Sequence, residues 1–125
     1  MGGNNKIMIS PYVLPGIPKY QKSSATTIEL IINEVCNGYN ISPELIKKPS
    51  RKNEFVKCRA ACYWFLRKYT ILSLVAVGRQ FNRDHTSVMW SLQNYENNFE
   101  RRDRESMEIV RIHHKIEEKF SILIR

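Results

Sequence analysis

The chain has 125 residues, 42% of them apolar, enough for one buried core and too few for two ordinary domains. Lys and Arg outnumber Asp and Glu by 20 to 12, and the resulting net charge of +8 and pI near 9.6 favour a polyanionic partner. The five glycines, at positions 2, 3, 16, 38 and 78, cannot assemble a phosphate-binding loop, no apolar run reaches the length of a membrane span, and Pro11, Pro15 and Pro18 interrupt any N-terminal export signal.

Residues 1–23 contain three of the five prolines and little periodicity. They read as an extended arm, either disordered or laid across the domain through Tyr12, Leu14 and Tyr20. Residues 24–125 form the folded domain. From Thr26, apolar residues recur as Ile28, Ile31, Ile32, Val35 and Cys36, one face of a helix with Ser24 or Thr26 as its cap. Gly38 and Asn40 are expected to end it. Ser42, Pro43 and Glu44 then supply a capping serine, a proline at the first helical position and an acid in the first turn, so a short helix runs to Ile46.

Residues 47–52, with Pro49 and Ser50, read as a basic loop. A third helix follows Asn53. Phe55, Cys58, Cys62, Phe65 and Tyr69 form its main stripe, but Val56, Tyr63, Trp64 and Leu66 lie elsewhere on its circumference, which predicts the central helix of the domain. Leu74, Val77, Gly78 and Phe81 mark one further short helix, and Val88, Leu92, Tyr95 and Phe99 mark the next. Only residues 82–84 separate the two stripes, the pattern of a helix-turn-helix. Ile109, Ile112, Ile116, Phe120 and Leu123 describe a C-terminal amphipathic helix that must pack back on the bundle or on a partner. With no β-alternating run, the expected fold class is all-α, a helical bundle containing a helix-turn-helix.

The positive charge is concentrated. Residues 47–68 hold eight basic side chains, Lys47, Lys48, Arg51, Lys52, Lys57, Arg59, Arg67 and Lys68, against Glu54 alone, so +7 of the net +8 lies there. A run this unbalanced reads as a binding surface rather than a self-paired solvated face. Cys36, Cys58 and Cys62 are odd in number and lack disulfide-framework spacing, which suits a reducing cytosol. Cys58 and Cys62 are one helical turn apart, but the spacing matches no zinc-knuckle pattern and both lie on the core stripe. Buried structural cysteines, without metal or cofactor, are the expectation.

The segment RDHTS, residues 83–87, gathers an arginine, an aspartate, a histidine and two hydroxyls. An Asp next to a His does not make a catalytic dyad, because neighbouring helical residues point about 100° apart, and no activated nucleophile accompanies them. The chain is therefore expected not to be an enzyme. Asp84 can instead cap the following helix, which puts His85, Thr86 and Ser87 in its first turn, where a recognition helix meets base edges. His85 can donate to a base acceptor, Thr86 can offer its methyl to thymine, and Asp84 can accept from a cytosine amino group. Capping of a surface helix would by itself account for Asp84 and Ser87, but not for Arg83 and the basic run.

Residues 35–95, with YNISPELIKKPSRKNEFVKCRAACYWFLRKYT followed by SLVAVGRQFNRDHTSVMWSLQNY, resemble the C-terminal DNA-binding domain of the bacterial replication initiator DnaA, and KIEEKFSILIR resembles the end of its last helix. The most specific element is RDHT followed by a small hydroxyl residue and Val. The resemblance implies the Trp-repressor-like helix-turn-helix fold and double-stranded DNA of the DnaA-box kind as target. It implies a minor-groove role for Arg51, positions on the basic helix and the phosphate backbone for Arg59 and Arg67, and base-reading or adjoining phosphate positions for Arg83, Asp84, His85, Thr86 and Ser87. Lys47, Lys48, Lys52 and Lys68 join the phosphate-contacting set by charge and location.

Several residues depart from the family pattern. Asn82 stands alone where two glycines are usual, Ala60 replaces a frequent glutamine, Trp90 a histidine and Asn94 a lysine, and residues around 99–110 read as an insertion. For Trp90 the expectation is packing against another helix, with stacking on the sugar-phosphate edge as the other fate. The family's ATPase module has no counterpart in this sequence. The expected function is sequence-specific DNA binding in replication control or transcriptional regulation, in the cytoplasm, with other replication or regulatory proteins as further partners. The rival is a protein-interaction adaptor working through the proline-rich arm and the C-terminal stripe.

Overall fold

The computed structural model describes residues 25–123, so the predicted arm over residues 1–23 lies outside the described residues. Six helices follow in order: α1 Ala25–Tyr39, α2 Pro43–Ile46, α3 Asn53–Tyr69, α4 Leu74–Arg79, α5 His85–Asn97 and α6 Arg104–Leu123. The helical elements expected from the periodicity are all present, and no strand occurs among the described residues.

The predicted stripe of α1, Ile28, Ile31, Ile32, Val35 and Cys36, is its buried face. Asn40 terminates the helix with a left-handed φ of 58°, while Ile41 N–H donates back to the Cys36 carbonyl at 3.0 Å. Gly38 has a different task from the expected stop. It lies inside α1, where a Cβ would come within 2.7 Å of the Ile116 side chain, so its missing side chain lets α6 approach. Pro43 opens α2 as expected, but the Ser42 hydroxyl donates to the Glu44 carboxylate instead of capping the helix.

Helix α3 is the centre of the bundle. Cys58, Ala60, Ala61, Cys62, Tyr63, Phe65, Leu66 and Tyr69 are all buried, and α1, α2, α4 and α5 pack around them. The three cysteines are free and buried, as their place on the core stripes required. Their convergence from α1 and α3 was not foreseen: the three Sγ atoms lie within 4.8 Å of one another, with Cys58 and Cys36 at 3.8 Å. Burial pushes the Cys62 thiol well above its ordinary pKa.

Helix α6 closes the bundle. Ile109, Ile116 and Phe120 are buried, and the Phe120 ring rests on Phe65 and Tyr69 at 5.4 and 5.0 Å between centroids. The C-terminal stripe therefore serves the domain's own core, which withdraws it as the working surface of the adaptor reading. His113 joins the core between Trp64, Phe65 and Phe99, and its Nδ1 pairs with the Tyr95 hydroxyl at 2.8 Å. The corner before α6 is tied by hydrogen bonds: Asn98 donates to the Tyr95 carbonyl at 3.0 Å, Ser106 Oγ donates to Asn98, and Asp103 caps α6 through Ser106 N–H, both at 2.8 Å. The stretch expected as an insertion is thus this corner and the opening turns of α6.

Candidate nucleic-acid interface

The turn between α4 and α5 is built on two backbone requirements. A Cβ on Gly78 would stand 2.3 Å from the Arg83 carbonyl oxygen, so only glycine allows the chain to pass so close. Arg83 N–H also donates to the Gly78 carbonyl at 2.8 Å. Asn82 supplies the second requirement with a φ of 60°, the left-handed conformation that asparagine tolerates better than other residues with a side chain. This one residue reverses the chain direction where the family pattern has two glycines.

Asp84 then caps α5 as predicted: its Oδ1 accepts from Ser87 N–H at 2.8 Å. That hydrogen bond holds the Asp84 carboxyl below the usual aspartate range. Val88, Leu92 and Tyr95 anchor the inner face of α5. His85, Thr86 and Ser87 are exposed in its first turn, and Met89, Trp90 and Gln93 continue the outward surface along the helix. Phe99 falls just beyond α5, its ring at 5.9 Å from Tyr95 and 4.8 Å from His113.

The basic loop is held against this turn from two directions. From beneath, Arg59 donates through Nε to the Ile46 carbonyl at 2.9 Å and through Nη2 to the carbonyls of Lys48 and Ser50 at 3.3 and 3.2 Å. From the side, Arg83 Nη2 donates to the same Lys48 carbonyl at 3.3 Å. One backbone oxygen is therefore shared between the arginine under the loop and the arginine that precedes the recognition helix. Lys47, Lys48, Arg51 and Lys52 remain exposed on the outside of the loop. The structure thus brings Lys47, Lys48, Arg51 and Lys52 together with Arg83, Asp84, His85, Thr86 and Ser87.

Three residues of the expected phosphate-contacting set also make contacts within the domain. Arg59 is 4% exposed and its guanidinium donates to carbonyls, so it clamps the loop from beneath. Burial and the neighbouring Arg83 charge lower its pKa, although a guanidinium still keeps its proton. Arg67 is half-buried and donates to the Leu72 carbonyl at 2.6 Å, pinning the link from α3 to α4. Lys68 turns to the other side of α3, onto Glu117 of α6 and the rings of Trp64 and Tyr69. The physical reason is helical rotation: Arg59 and Lys68 are nine positions apart, which sets them on opposite faces.

Trp90 does not pack against another helix as expected: no other helix covers it among the described residues, and it is 60% exposed on the outward face of α5. Its apolar character suggested packing, but the spacing held the better signal, since it lies one turn after Thr86 and away from the stripe of Val88, Leu92 and Tyr95. Arg79, exposed in the last turn of α4, was not singled out from the sequence.

Two short helices joined by a tight turn, with an exposed polar first turn on the second and a clamped basic loop beside it, define a helix-turn-helix domain of the DNA-binding class. The helix-turn-helix family of the bacterial dnaA protein matches residues 28–94, more than half of the chain, and the chain belongs to that family. It is 37% identical over 81 residues to the chromosomal replication initiator protein DnaA of Oleidesulfovibrio alaskensis, covering 64% of this chain and 18% of that protein. The DnaA protein of Thermoanaerobacter sp. is 30% identical over 95 residues, 76% of this chain and 21% of its own length, and that of Gloeothece citriformis is 39% identical over 66 residues, 52% and 15%. The chain spans about a fifth of the length of the curated relatives it matches. No helix among the described residues is long and apolar enough to cross a membrane.

Proposed function

We propose that this chain binds double-stranded DNA in a sequence-specific manner, in replication control or transcriptional regulation, without using ATP. His85, Thr86 and Ser87, with Asp84 at their head, meet base edges in the major groove, and Arg51 enters the adjoining minor groove, where a narrow A·T-rich segment attracts a guanidinium. Lys47, Lys48, Lys52 and Arg83 contact phosphates and set the register. Arg59, Arg67 and Lys68 act from behind, holding the loop, the α3–α4 link and α6.

The observation that carries this reading is the shared Lys48 carbonyl, because it fixes the exposed loop beside the exposed first turn of α5. Two groove-reading elements need a fixed mutual position, whereas loose attachment to a polyanion does not. Five cationic contacts, those of Lys47, Lys48, Arg51, Lys52 and Arg83, correspond to a log–log salt slope of roughly −4 to −5.

The test is fluorescence-anisotropy titration of DnaA-box and scrambled duplexes at low and near-physiological salt, followed by selection from random duplexes. A preferred duplex whose advantage survives added salt supports the reading. His85→Ala should cost about 1–3 kcal/mol on the preferred duplex and much less on a scrambled one. Equal losses on both would refute base reading by α5, and failure to select any sequence would refute specificity altogether.

A further inference from the structure

The polar first turn of α5 does not exhaust its outward face. Trp90 stands one helical turn beyond Thr86, about 6 Å further along the axis, and beside it Met89 is 48% exposed against the 60% of Trp90. Val88 and Leu92, their neighbours in sequence, are buried, so α5 divides sharply into an inner apolar face and an outer face on which an indole and a thioether follow the base-reading hydroxyls. The nearby outward residues Gln93, Asn94 and Asn97 are uncharged, and the flanking loop is cationic. An exposed indole on the same outward face as the first turn of α5, against which the cationic loop is held, suits a surface that loses its water against a polyanion's groove.

The chemistry narrows what the indole meets. In the major groove the one apolar feature among the base edges is the C5-methyl of thymine. Indole has a broad apolar face and a single N–H donor, so it gains from a methyl group and has little to offer the polar edge of a G·C pair. We propose that Trp90, supported by Met89, is a specificity-determining residue that reads thymine methyl groups beyond the base pairs met by the first turn. This rests on the DNA-binding reading above and adds to it a second, apolar segment of the recognised sequence.

The experiment uses the full chain. The preferred duplex is first selected from a random pool, and each thymine in it is then replaced in turn by deoxyuridine, which removes the methyl and leaves the hydrogen-bonding edge unchanged. Affinity is measured for the wild type, Trp90→Ala and Trp90→His, with circular dichroism confirming that each variant is helical. The expected result is a loss of about fourfold per methyl contacted at one or two positions for the wild type, and no loss at those positions for either variant. His85→Ala should retain the uridine sensitivity, because it acts on other base pairs. A wild type that selects a sequence but ignores every uridine replacement overturns this inference and leaves the DNA-binding reading intact. So does a Trp90→Ala variant as uridine-sensitive as the wild type, and the exposed indole would then be assigned to a protein partner. Failure of the wild type to select any sequence overturns both.

Discussion

Replacing Arg59 separates a clamp beneath the loop from the phosphate contact that the family resemblance implies. Arg59→Met keeps the length and apolar stem of the side chain but removes the donors to the carbonyls of Ile46, Lys48 and Ser50. The bond to Ile46 is buried and charge-assisted, a class worth about 1.5–3 kcal/mol; the other two are partly buried, and water can replace them at a cost nearer 0.5–1.5 kcal/mol each. The expected loss is about 3–5 kcal/mol, seen in urea as a midpoint lowered by about 2 M. Arg59→Lys should recover little of it, because an ammonium cannot fork between carbonyls on α2 and the loop. A phosphate-contacting Arg59 would behave in the opposite way. The Met variant would keep its stability within about 0.5 kcal/mol and flatten the salt slope by about 0.9, and the Lys variant would restore that slope. That combination would refute the clamp.

Gly78→Ala should destabilise the domain by about 2–4 kcal/mol in a thermal melt, because the new methyl meets a backbone carbonyl that cannot swing aside. Asn82→Ala should cost about 1 kcal/mol for holding alanine at a φ of 60°, whereas Asn82→Gly should stay within about 0.5 kcal/mol of the wild type. Acid should weaken the fold in two stages. Burial lowers the His113 pKa below its ordinary 6.5, and the His113 ring 3.6 Å away, together with the paired Lys68 ammonium, holds Glu117 at about 2 instead of 4.5. Both groups bind protons more readily in the unfolded chain, so their contribution is complete above pH 6.5. It falls first as His113 protonates and again between about 4.5 and 2 as Glu117 does. Urea midpoints measured against pH should show both stages, and Glu117→Gln should remove the second.

How much of this was legible in the sequence depended on how far apart the cooperating residues lie. The Asp84 cap joins positions three apart, and the stripe of α1 and the Val88, Leu92 and Tyr95 repeat of α5 lie within single helices, so composition and spacing sufficed. The total charge of residues 47–68 was equally plain, but its direction was not. Arg59 and Lys68 find Ile46 and Glu117 only once separate helices have packed, and Arg67 finds Leu72 only once the link after α3 has folded back. Cys36 likewise meets Cys58 across two helices, and nothing in the sequence measures that gap. Trp90 is a different case, because the buried stripe of α5 already fixed which side faces outward. The expectation of packing followed the chemistry of the residue and set aside its position.

The shared Lys48 carbonyl also bears on the geometry of the DNA site. On the proposed reading, the loop and the recognition helix form the jaws of a calliper with almost no travel. Adding one base pair between the minor-groove and major-groove segments would displace one segment by about 3.4 Å and turn it by about 35°. Arg59 and Arg83 would have to release the loop before both jaws could close on such a site. The domain would then select helical phase as strictly as base identity, and its operators should vary in letters more readily than in length.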